Sequence, residues 1–404
     1  MKTLELKITL LSFLFLGIIS VSYAQEKSPA HLGLFYPVST HGTTAAEYTN
    51  SFSLHLLTGL SGGETGAAIY GLAGIVKGDL HGAQISGLWN NVSGKVSGVQ
   101  VAGILNQSAD ATESAQIAGV GNINLGNSAF QTSGIFNTAK NVNGGQIAGI
   151  SNLADSVDGF QVAGIANISK SVNGLQVAGV ANISPVIDGV QVAGISSVAK
   201  KVDGLQISGI SNVADQVEGI QISGLVNRAK TVKGMQIGLI NIADSSDLTI
   251  GLINIVKDGG DRRLGLSIDE NLNSFLTFRS GGKRLYGVFG VGTNFDVKDL
   301  PFGFEAGLGM NLTESSRFRL DVEGVSKYLT DFEGSDFSKF SFQLLPALKI
   351  SERMHVFAGP SLSYIHSEDL GKVEHSGLVI WDEVGRNKYQ SVLLGFTAGV
   401  NVRF

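Results

Sequence analysis

The chain has 404 residues, a formal net charge of −5 and no cysteine, and only 16% of its residues are charged. Because the charges are spread without a basic stripe, this composition argues against nucleic acid as a partner. The lack of cysteine excludes a disulfide framework and a lipid-attachment cysteine, so we expect neither a disulfide-stapled secreted protein nor a lipoprotein.

The first predicted element is an export signal that covers residues 1–24. Lys2 and Lys7 accompany a short apolar run, LLSFLFLGIISV, and Ser22 and Ala24 supply the small residues of a cleavage site. The roughly 380 residues that follow have a length typical of two structural units. None of their apolar runs reaches the roughly 18 residues of a membrane helix, so a membrane location would require a closed β-barrel.

Residues 25–81 are predicted to form N-terminal strands and a cap. The runs HLGLFYPVS and SFSLHLLTG are typical of strands, and we expect them to cap the following repeat or to join a barrel. The glycine-rich segment GLSGGETG at 59–66 lacks the GK[ST] of a phosphate-binding loop, which favours a flexible turn.

A repeat with a period of about fifteen residues covers residues 82–257. In each copy a glutamine is followed by an apolar residue, a small residue, a glycine, an apolar residue, any residue and an asparagine. So steady a register predicts stacked units of the same structure. The glutamines stand at Gln84, Gln100, Gln116, Gln131, Gln146, Gln161, Gln176, Gln191, Gln206, Gln221 and Gln236.

The composition of each unit favours short strands joined at fixed corners. Two glycines per unit would destabilise a helix, whereas Val, Ile and Asn favour strands and turns. Identical corners predict that all units run in the same direction, as coils of a parallel β-solenoid. With glutamine as position 1, we expect the apolar residues at positions 2, 5, 8, 12 and 15 to fill a narrow core. Val177 would then face the core, Gln176 the other face, and Gly179 and Asn182 would form a corner.

Stacked coils also place identical amides one above another, where they can hydrogen-bond as ladders. The predicted ladder residues are Gln146, Gln161, Gln176, Gln191, Gln206, Gln221, Asn152, Asn167, Asn182, Asn212 and Asn227. The alternative is one large antiparallel transmembrane barrel, in which fifteen residues make one strand and one turn. Alternate strands of such a barrel would meet different turns, which predicts a thirty-residue repeat.

Residues 262–404 are predicted to form a separate antiparallel β-barrel. Fourteen of the 21 phenylalanines lie beyond residue 262, and apolar and polar residues alternate in segments such as RFRLDVEG. About eight to ten such strands are typical of a small up-and-down barrel. The candidate lumen residues are Glu305, Arg317, Arg319, Asp321 and Glu323.

The last strand alternates from Val392 onward and ends in Phe404, and in this it resembles the terminal strand of bacterial outer-membrane barrels. That resemblance implies recognition by the barrel-assembly machinery and a location in the outer membrane. Apolar side chains would then face lipid and charged ones the lumen. The alternative is a soluble barrel or sandwich, in which the apolar face points inward.

The repeats, from GAQISGLWN through MQIGLINIADSSDLTIGLINIVKDG, and the aromatic tail together resemble a family of Gram-negative bacterial surface repeat-containing proteins. The resemblance covers nearly the whole mature chain. It implies an exported protein of the outer membrane or cell surface, and it brings no known catalytic residues.

The sequence carries no pattern typical of an active site. The seven histidines include no HExxH motif, and the acidic pairs Glu368–Asp369 and Asp382–Glu383 fall in predicted loops. We therefore expect no catalytic residue, no metal site and no cofactor. Our first hypothesis is a non-enzymatic envelope protein that serves as a structural spacer or adhesion surface for an unknown cell-surface or matrix partner. The alternative hypothesis is an outer-membrane pore or transport barrel for a small solute.

Overall fold

A computed structural model describes residues 25–282, 284–295, 302–330, 332, 336–367, 376–384 and 389–404. Strands make up 78% of the structure and helix 2%, in a parallel β-solenoid of about 14 turns plus a closed eight-stranded antiparallel β-barrel. The predicted fold class is confirmed. The alternative of one large antiparallel barrel is wrong, because neighbouring repeat units pair in parallel. The predicted export signal lies outside the described residues.

The chain divides into two compact units, residues 1–143 and 144–404. The described part of the first unit consists of solenoid coils and one short 3-10 helix, Gly42–Glu47. Its strands are β1 (Glu26–Ser28), β2 (His31–Phe35), β3 (Val38–Ser39), β4 (Tyr48–His55), β5 (Thr58–Ser61), β6 (Gly63–Tyr70), β7 (Ala73–Val76), β8 (Leu80–Ser86), β9 (Trp89–Ala102), β10 (Leu105–Ala118), β11 (Gly121–Asn124) and β12 (Asn127–Ser133). The next strand, β13 (Phe136–Ala148), contains the boundary between the units.

Residues 25–81 form the first coils of the solenoid. β1 and β2 both align in parallel with β4, and β4, β6 and β8 follow one another as successive coils. The barrel closes with strands from residues 261–403 only. Our expectation that residues 25–81 could join the barrel is therefore corrected, and the coils begin well before residue 82.

In the second unit, each coil contributes one longer and one short strand. β16 pairs in parallel with β18, and Gln176 lies opposite Gln191, so one coil advances the chain by fifteen residues. The strands are β14 (Ser151–Ala163), β15 (Ala166–Ile168), β16 (Ser171–Ala178), β17 (Ala181–Ile183), β18 (Val186–Ala193), β19 (Ser196–Val198), β20 (Lys201–Ser208), β21 (Ser211–Val213), β22 (Gln216–Ser223), β23 (Val226–Arg228), β24 (Thr231–Ile237), β25 (Ile240–Ala243), β26 (Ser245–Ile250) and β27 (Ile253–Val256).

Glycine is required in each coil because neighbouring coils approach closely. A Cβ on Gly179 would lie 2.1 Å from the carbonyl oxygen of Gly164 in the preceding coil. Gly189 has a φ angle of +130°, a backbone conformation that residues with a side chain rarely adopt. Asn182 does not share this corner role. It lies in strand β17 with a fully buried side chain, so the predicted asparagine corner is wrong.

The barrel follows the last coil. Its strands are β28 (Asp261–Asp269), β29 (Asn273–Gly281), β30 (Leu285–Asn294), β31 (Phe302–Glu314), β32 (Phe318–Thr330), β33 (Asp336–Lys349), β34 (Met354–Ser367), β35 (Leu378–Val384) and β36 (Tyr389–Arg403). β28 pairs with both β29 and β36, which closes a wall of eight strands. β35 is additional to this wall and pairs with the first half of β36.

The last coil of the array ends on the barrel wall. The Asn254 side chain donates a hydrogen bond to the Ser280 carbonyl at 3.0 Å, and the Asn254 backbone N–H donates to Ser280 Oγ at 2.9 Å. A Cβ on Gly287 would lie 2.1 Å from the Gly251 carbonyl oxygen, the same distance as between successive coils at Gly179. The β29–β30 hairpin therefore covers the end of the last coil and provides hydrogen-bond partners for Asn254.

Candidate functional site

The coil interior is lined by amides, small residues and one aliphatic side chain per coil. In the unit that starts at Gln176, the buried side chains include Gln176, Asn182 and Ile187, whereas Val180 and Ile183 are 38% and 43% exposed. Of the five predicted apolar core positions, only position 12, occupied here by Ile187, is buried. The strand alternation was predicted correctly, but the two faces were assigned the wrong way round. Val177 lies on the outward face and Gln176 points inward.

The glutamines form a continuous ladder along the coils. Gln161 Nε2 donates a hydrogen bond to Gln146 Oε1 at 2.7 Å. Equivalent hydrogen bonds of 2.7 to 3.0 Å are donated to the glutamine of the preceding coil by Gln176, Gln191, Gln206, Gln221 and Gln236. The first unit has the same arrangement, in which Gln116 donates to Gln100 at 2.8 Å. Within the array, the amides of Gln161, Gln176, Gln191, Gln206 and Gln221 thus each donate to one neighbouring coil and accept from the other, whereas Gln236 at the end of the ladder only donates.

The asparagines form a second ladder that bonds to the backbone as well. Asn167 Nδ2 donates to Asn182 Oδ1 at 3.0 Å and to the Val177 carbonyl at 2.8 Å. Ser197 interrupts this ladder, which resumes at Asn212. The two ladders contain all eleven predicted ladder residues, and they bring these side chains together as structural contacts between coils.

Because the amides point inward, the apolar residues point outward and stack from coil to coil. Positions 15, 2, 5 and 8 of successive units carry the stacks Leu175–Val190–Leu205–Ile220, Val177–Val192–Ile207–Ile222, Val180–Ile195–Ile210–Leu225 and Ile183–Val198–Val213, with Arg228 next in the last stack. The apolar side chains at positions 5 and 8 are 36% to 47% exposed, those at position 2 are half-buried, and those at position 15 are half-buried or exposed. The coil surface is therefore unusually apolar along these positions.

Charged residues occupy a different edge of the coil, mainly at positions 10, 11 and 13. Lys170 and Asp155 form an ion pair of 2.7 Å across neighbouring coils, and Lys230 and Asp215 form one of 2.9 Å. These side chains are half to three-quarters exposed, so each pair contributes little stability. Their main effect is to give the coil one polar edge.

The barrel has charged residues inside. Four of the five predicted lumen residues, Glu305, Arg319, Asp321 and Glu323, are 1% to 3% exposed and point inward. Arg317 does not, because it lies exposed in the three-residue turn between β31 and β32. Sequence reasoning missed other inward charges, since their strands were less clearly delimited. These are Asp261, Arg263, Asp269, Glu270, Arg279, Lys327 and Lys339.

Ion pairs bridge opposite walls of the barrel. Arg263 on β28 lies 2.9 Å from Asp321 on β32, which is the diametrically opposite strand. Arg279 donates two hydrogen bonds to Glu323, at 2.7 and 3.0 Å. Nearer the other end, Lys339 pairs with Asp269 at 3.0 Å and with Glu270 at 2.6 Å. The interior is therefore crossed by paired charges at both ends.

The outward face of the barrel is apolar and exposed. Phe342 is 57% exposed, Phe396 54% and Leu308 47%, and comparable side chains project from the other strands of the wall. Phe404 is 63% exposed and stacks on Phe278, with 6.3 Å between the ring centroids. This barrel therefore has apolar side chains outside and charged side chains inside, which is the reverse of the arrangement in a soluble barrel.

The first unit contains a cluster of histidines that sequence reasoning missed, because its members are distant in sequence. The ring centroids of His31 and His55 are 4.4 Å apart, and those of His31 and His41 are 4.6 Å apart. Burial, reinforced by repulsion from the other two histidines, lowers the pKa of His31 to about 4. Burial and His41 also lower the pKa of His55.

Beside this cluster lies a buried carboxylate, Glu64, which accepts hydrogen bonds from Ser53 Oγ at 2.7 Å and from the Tyr70 hydroxyl at 3.2 Å. Burial raises the pKa of Glu64 despite these hydrogen bonds. The predicted flexible turn at 59–66 is therefore wrong: its residues belong largely to β5 and β6, and Glu64 faces the interior.

The remaining histidine and acidic residues of the described chain do not form a metal site or an active site that can be recognised from its geometry. Within the described residues, no group of three histidine or acidic side chains is placed to hold a metal ion. Asp382 and Glu383 are exposed and lie in strand β35 rather than in a loop, whereas Glu368, Asp369 and His375 lie outside the described residues. In the described part of the chain, no helix is both long and apolar enough to cross a membrane.

Comparisons with protein-family models, with curated proteins and with solved structures gave no match.

Replacing Gln191 by Leu should destabilise the array, because it leaves the Gln206 amide donor without its partner and removes one donor to Gln176. An unpaired buried polar group costs about 1–3 kcal/mol. Gln216 is exposed on the polar edge, so Gln216→Leu makes the same chemical change and should alter the unfolding free energy by no more than about 0.5 kcal/mol. Chemical denaturation of both variants measures the difference. Equal stability of the two would contradict the inward ladder.

Acidification should destabilise the first unit, because His31 and His55 bind protons more readily in the unfolded chain, where their pKa is near 6.5. The stability that depends on their neutral forms is complete above pH 6.5 and is lost as the pH falls toward about 4. The raised pKa of Glu64 has the opposite effect, because this group favours the folded state as the pH falls. The test therefore compares thermal unfolding between pH 7 and 4.5 for the wild type and for His31→Gln/His55→Gln. An identical pH dependence in both would refute the role of the histidines.

Proposed function

We propose that the chain is a non-enzymatic repeat protein of the bacterial cell envelope, held in the outer membrane by its C-terminal barrel. The observation that carries this proposal is the inverted polarity of the barrel. Exposed Phe342 and Phe396 lie on the outside, while charged side chains such as Arg279 are buried inside. Lipid is the solvent in which such a surface is favourable, and transmembrane barrels share this arrangement.

The ion pairs inside the barrel favour an anchor over a pore. Arg263 reaches Asp321 on the opposite strand, and the guanidinium of Arg279 is held by both carboxylate oxygens of Glu323. Moving these side chains aside for a solute would separate buried charges, which costs several kcal/mol. An eight-stranded barrel is also only wide enough for side chains to fill.

Export and insertion are the remaining parts of the proposal. The signal-like residues 1–24 would direct the chain across the inner membrane, and strand β36 with the Phe404 that follows it would be recognised by the barrel-assembly machinery. Inserted in this way, the barrel fixes one end of the array through Asn254 and Ser280. The array then serves as a structural spacer or as an interaction surface.

Replacing Phe342 by Arg should distinguish a lipid-facing from a water-facing barrel. Phe342 lies at the middle of β33 and is 57% exposed, so the change would be nearly neutral in water but should cost about 2–4 kcal/mol at the centre of a bilayer. Ile350, 63% exposed in the turn after β33, is the matched control, and Ile350→Arg should cost about 1 kcal/mol or less. Denaturant titration of protein refolded in phospholipid vesicles gives both values. A neutral Phe342→Arg would contradict membrane insertion.

The pore alternative makes a separate prediction. If paired charges fill the lumen, the wild-type protein inserted in a planar bilayer should show no steady single-channel conductance. Insertion must be demonstrated in parallel by protease protection of the barrel. Reproducible channels from inserted protein would favour the pore over the anchor.

A further inference from the structure

We infer that the solenoid lies along the membrane surface, with its apolar outer faces in contact with lipid. This inference rests on the proposed function, because it requires an inserted barrel. It adds a second lipid-binding surface, formed by the repeat array of residues 144–256, and it gives the array a partner of defined chemistry.

The first argument is the place where the array leaves the barrel. Ser280 alternates with Phe278 and Leu276 on the outward face of β29, and Gly287 alternates with Phe289 on the outward face of β30. Ser280 is nonetheless 0% exposed, because the last coil covers it through Asn254. The array thus begins on the outside of the wall, on the face proposed to meet lipid.

The second argument is the distribution of polarity around the coil. The apolar stacks are exposed at positions 5 and 8, as at Ile195 and Ile210, and half-buried to exposed at positions 15 and 2, while charged residues such as Asp203 and Glu218 cluster on the edge formed by positions 10, 11 and 13. An element with one strongly apolar side and one charged side is typical of proteins that lie in the membrane interface. Repeated over successive coils, the stacks form rows of exposed aliphatic side chains, and contiguous exposed apolar surface of this kind marks a site of interaction.

The third argument is that the coil makes its backbone hydrogen bonds within the array and not with the solvent. Backbone groups pair between neighbouring coils, as in β16 with β18 and β20. The side-chain amides pair inside, in the two ladders. A surface in contact with hydrocarbon requires such internal pairing, because lipid supplies no donors or acceptors.

The lengths of the barrel connections indicate which leaflet is involved. The array enters the barrel at Asp261, at the end where the strands are joined by residues 282–284, 315–317 and 350–353. At the other end, the connections 295–301 and 331–335 are longer, as is the segment 368–388, which includes β35, and only 270–272 is equally short. Short turns face the periplasm in outer-membrane barrels. The array accordingly lies on the periplasmic leaflet, where it cannot serve as an adhesion surface for other cells.

The chain has no cysteine, so single cysteines can be labelled with an environment-sensitive fluorophore. The full chain is reconstituted in phosphatidylcholine vesicles that contain phospholipids spin-labelled on the acyl chain. Ile195→Cys and Ile210→Cys test the apolar stacks, and Asp203→Cys and Glu218→Cys are controls on the polar edge of the same coils. Phe342→Cys reports on the barrel itself.

We expect quenching at Ile195 and Ile210 that is at least twofold stronger than at Asp203 and Glu218, together with blue-shifted emission. Quenching at Phe342 alone would overturn the inference while leaving the anchored barrel intact. Blue-shifted but unquenched labels at Ile195 and Ile210 would show that a second copy of the chain covers this face, which also overturns lipid contact. No quenching at Phe342 would refute the membrane barrel and the inference together.

Discussion

A buried side-chain amide must be hydrogen-bonded on both its donor and its acceptor side, and the repeat array depends on this requirement. Gln191 satisfies it by donating to Gln176 and accepting from Gln206, which fixes the register of three coils at once. A shift of one coil by a single residue would break both bonds and turn the amide outward. The same requirement operates at the end of the array, where Asn254 finds its partner in Ser280 of the barrel.

Once the amides occupy the interior, the aliphatic residues that alternate with them must lie outside. The barrel follows the same rule with different chemistry, since paired charges fill its interior and phenylalanines cover its wall. Both parts of the second unit therefore have a polar interior and an apolar surface. In water this arrangement would forfeit much of the hydrophobic contribution to folding, whereas in lipid the apolar surface carries no such cost. Contact with lipid, as we propose, would account for the surfaces of both parts.

Much of this fold could be predicted from the sequence, because repetition and alternation are geometric signals. The glutamine spacing predicted parallel coils and the ladder residues, and the alternation around Arg319 and Glu323 predicted a barrel strand with its charged face. What the alternation could not tell was which face of the coil points inward. We assumed an apolar core at Val177, as water would require, although we allowed the inverse for the barrel. Arg317 was misplaced because strand β32 begins one residue after it, at Phe318. The histidine cluster depends on the stacking of distant segments, which no local pattern reveals.

The most direct measurement of the central claim, that the amides are inside and the aliphatic residues outside, is hydrogen exchange of the glutamine side-chain amides. In protein labelled with nitrogen-15 at glutamine, the side-chain protons of Gln176, Gln191 and Gln206 should persist for hours in deuterated buffer, because each is buried and hydrogen-bonded between coils. Those of Gln216, which is exposed on the polar edge, should exchange within the dead time of the experiment. Exchange of the ladder amides as fast as that of Gln216 would contradict the inward ladder and the apolar surface that follows from it.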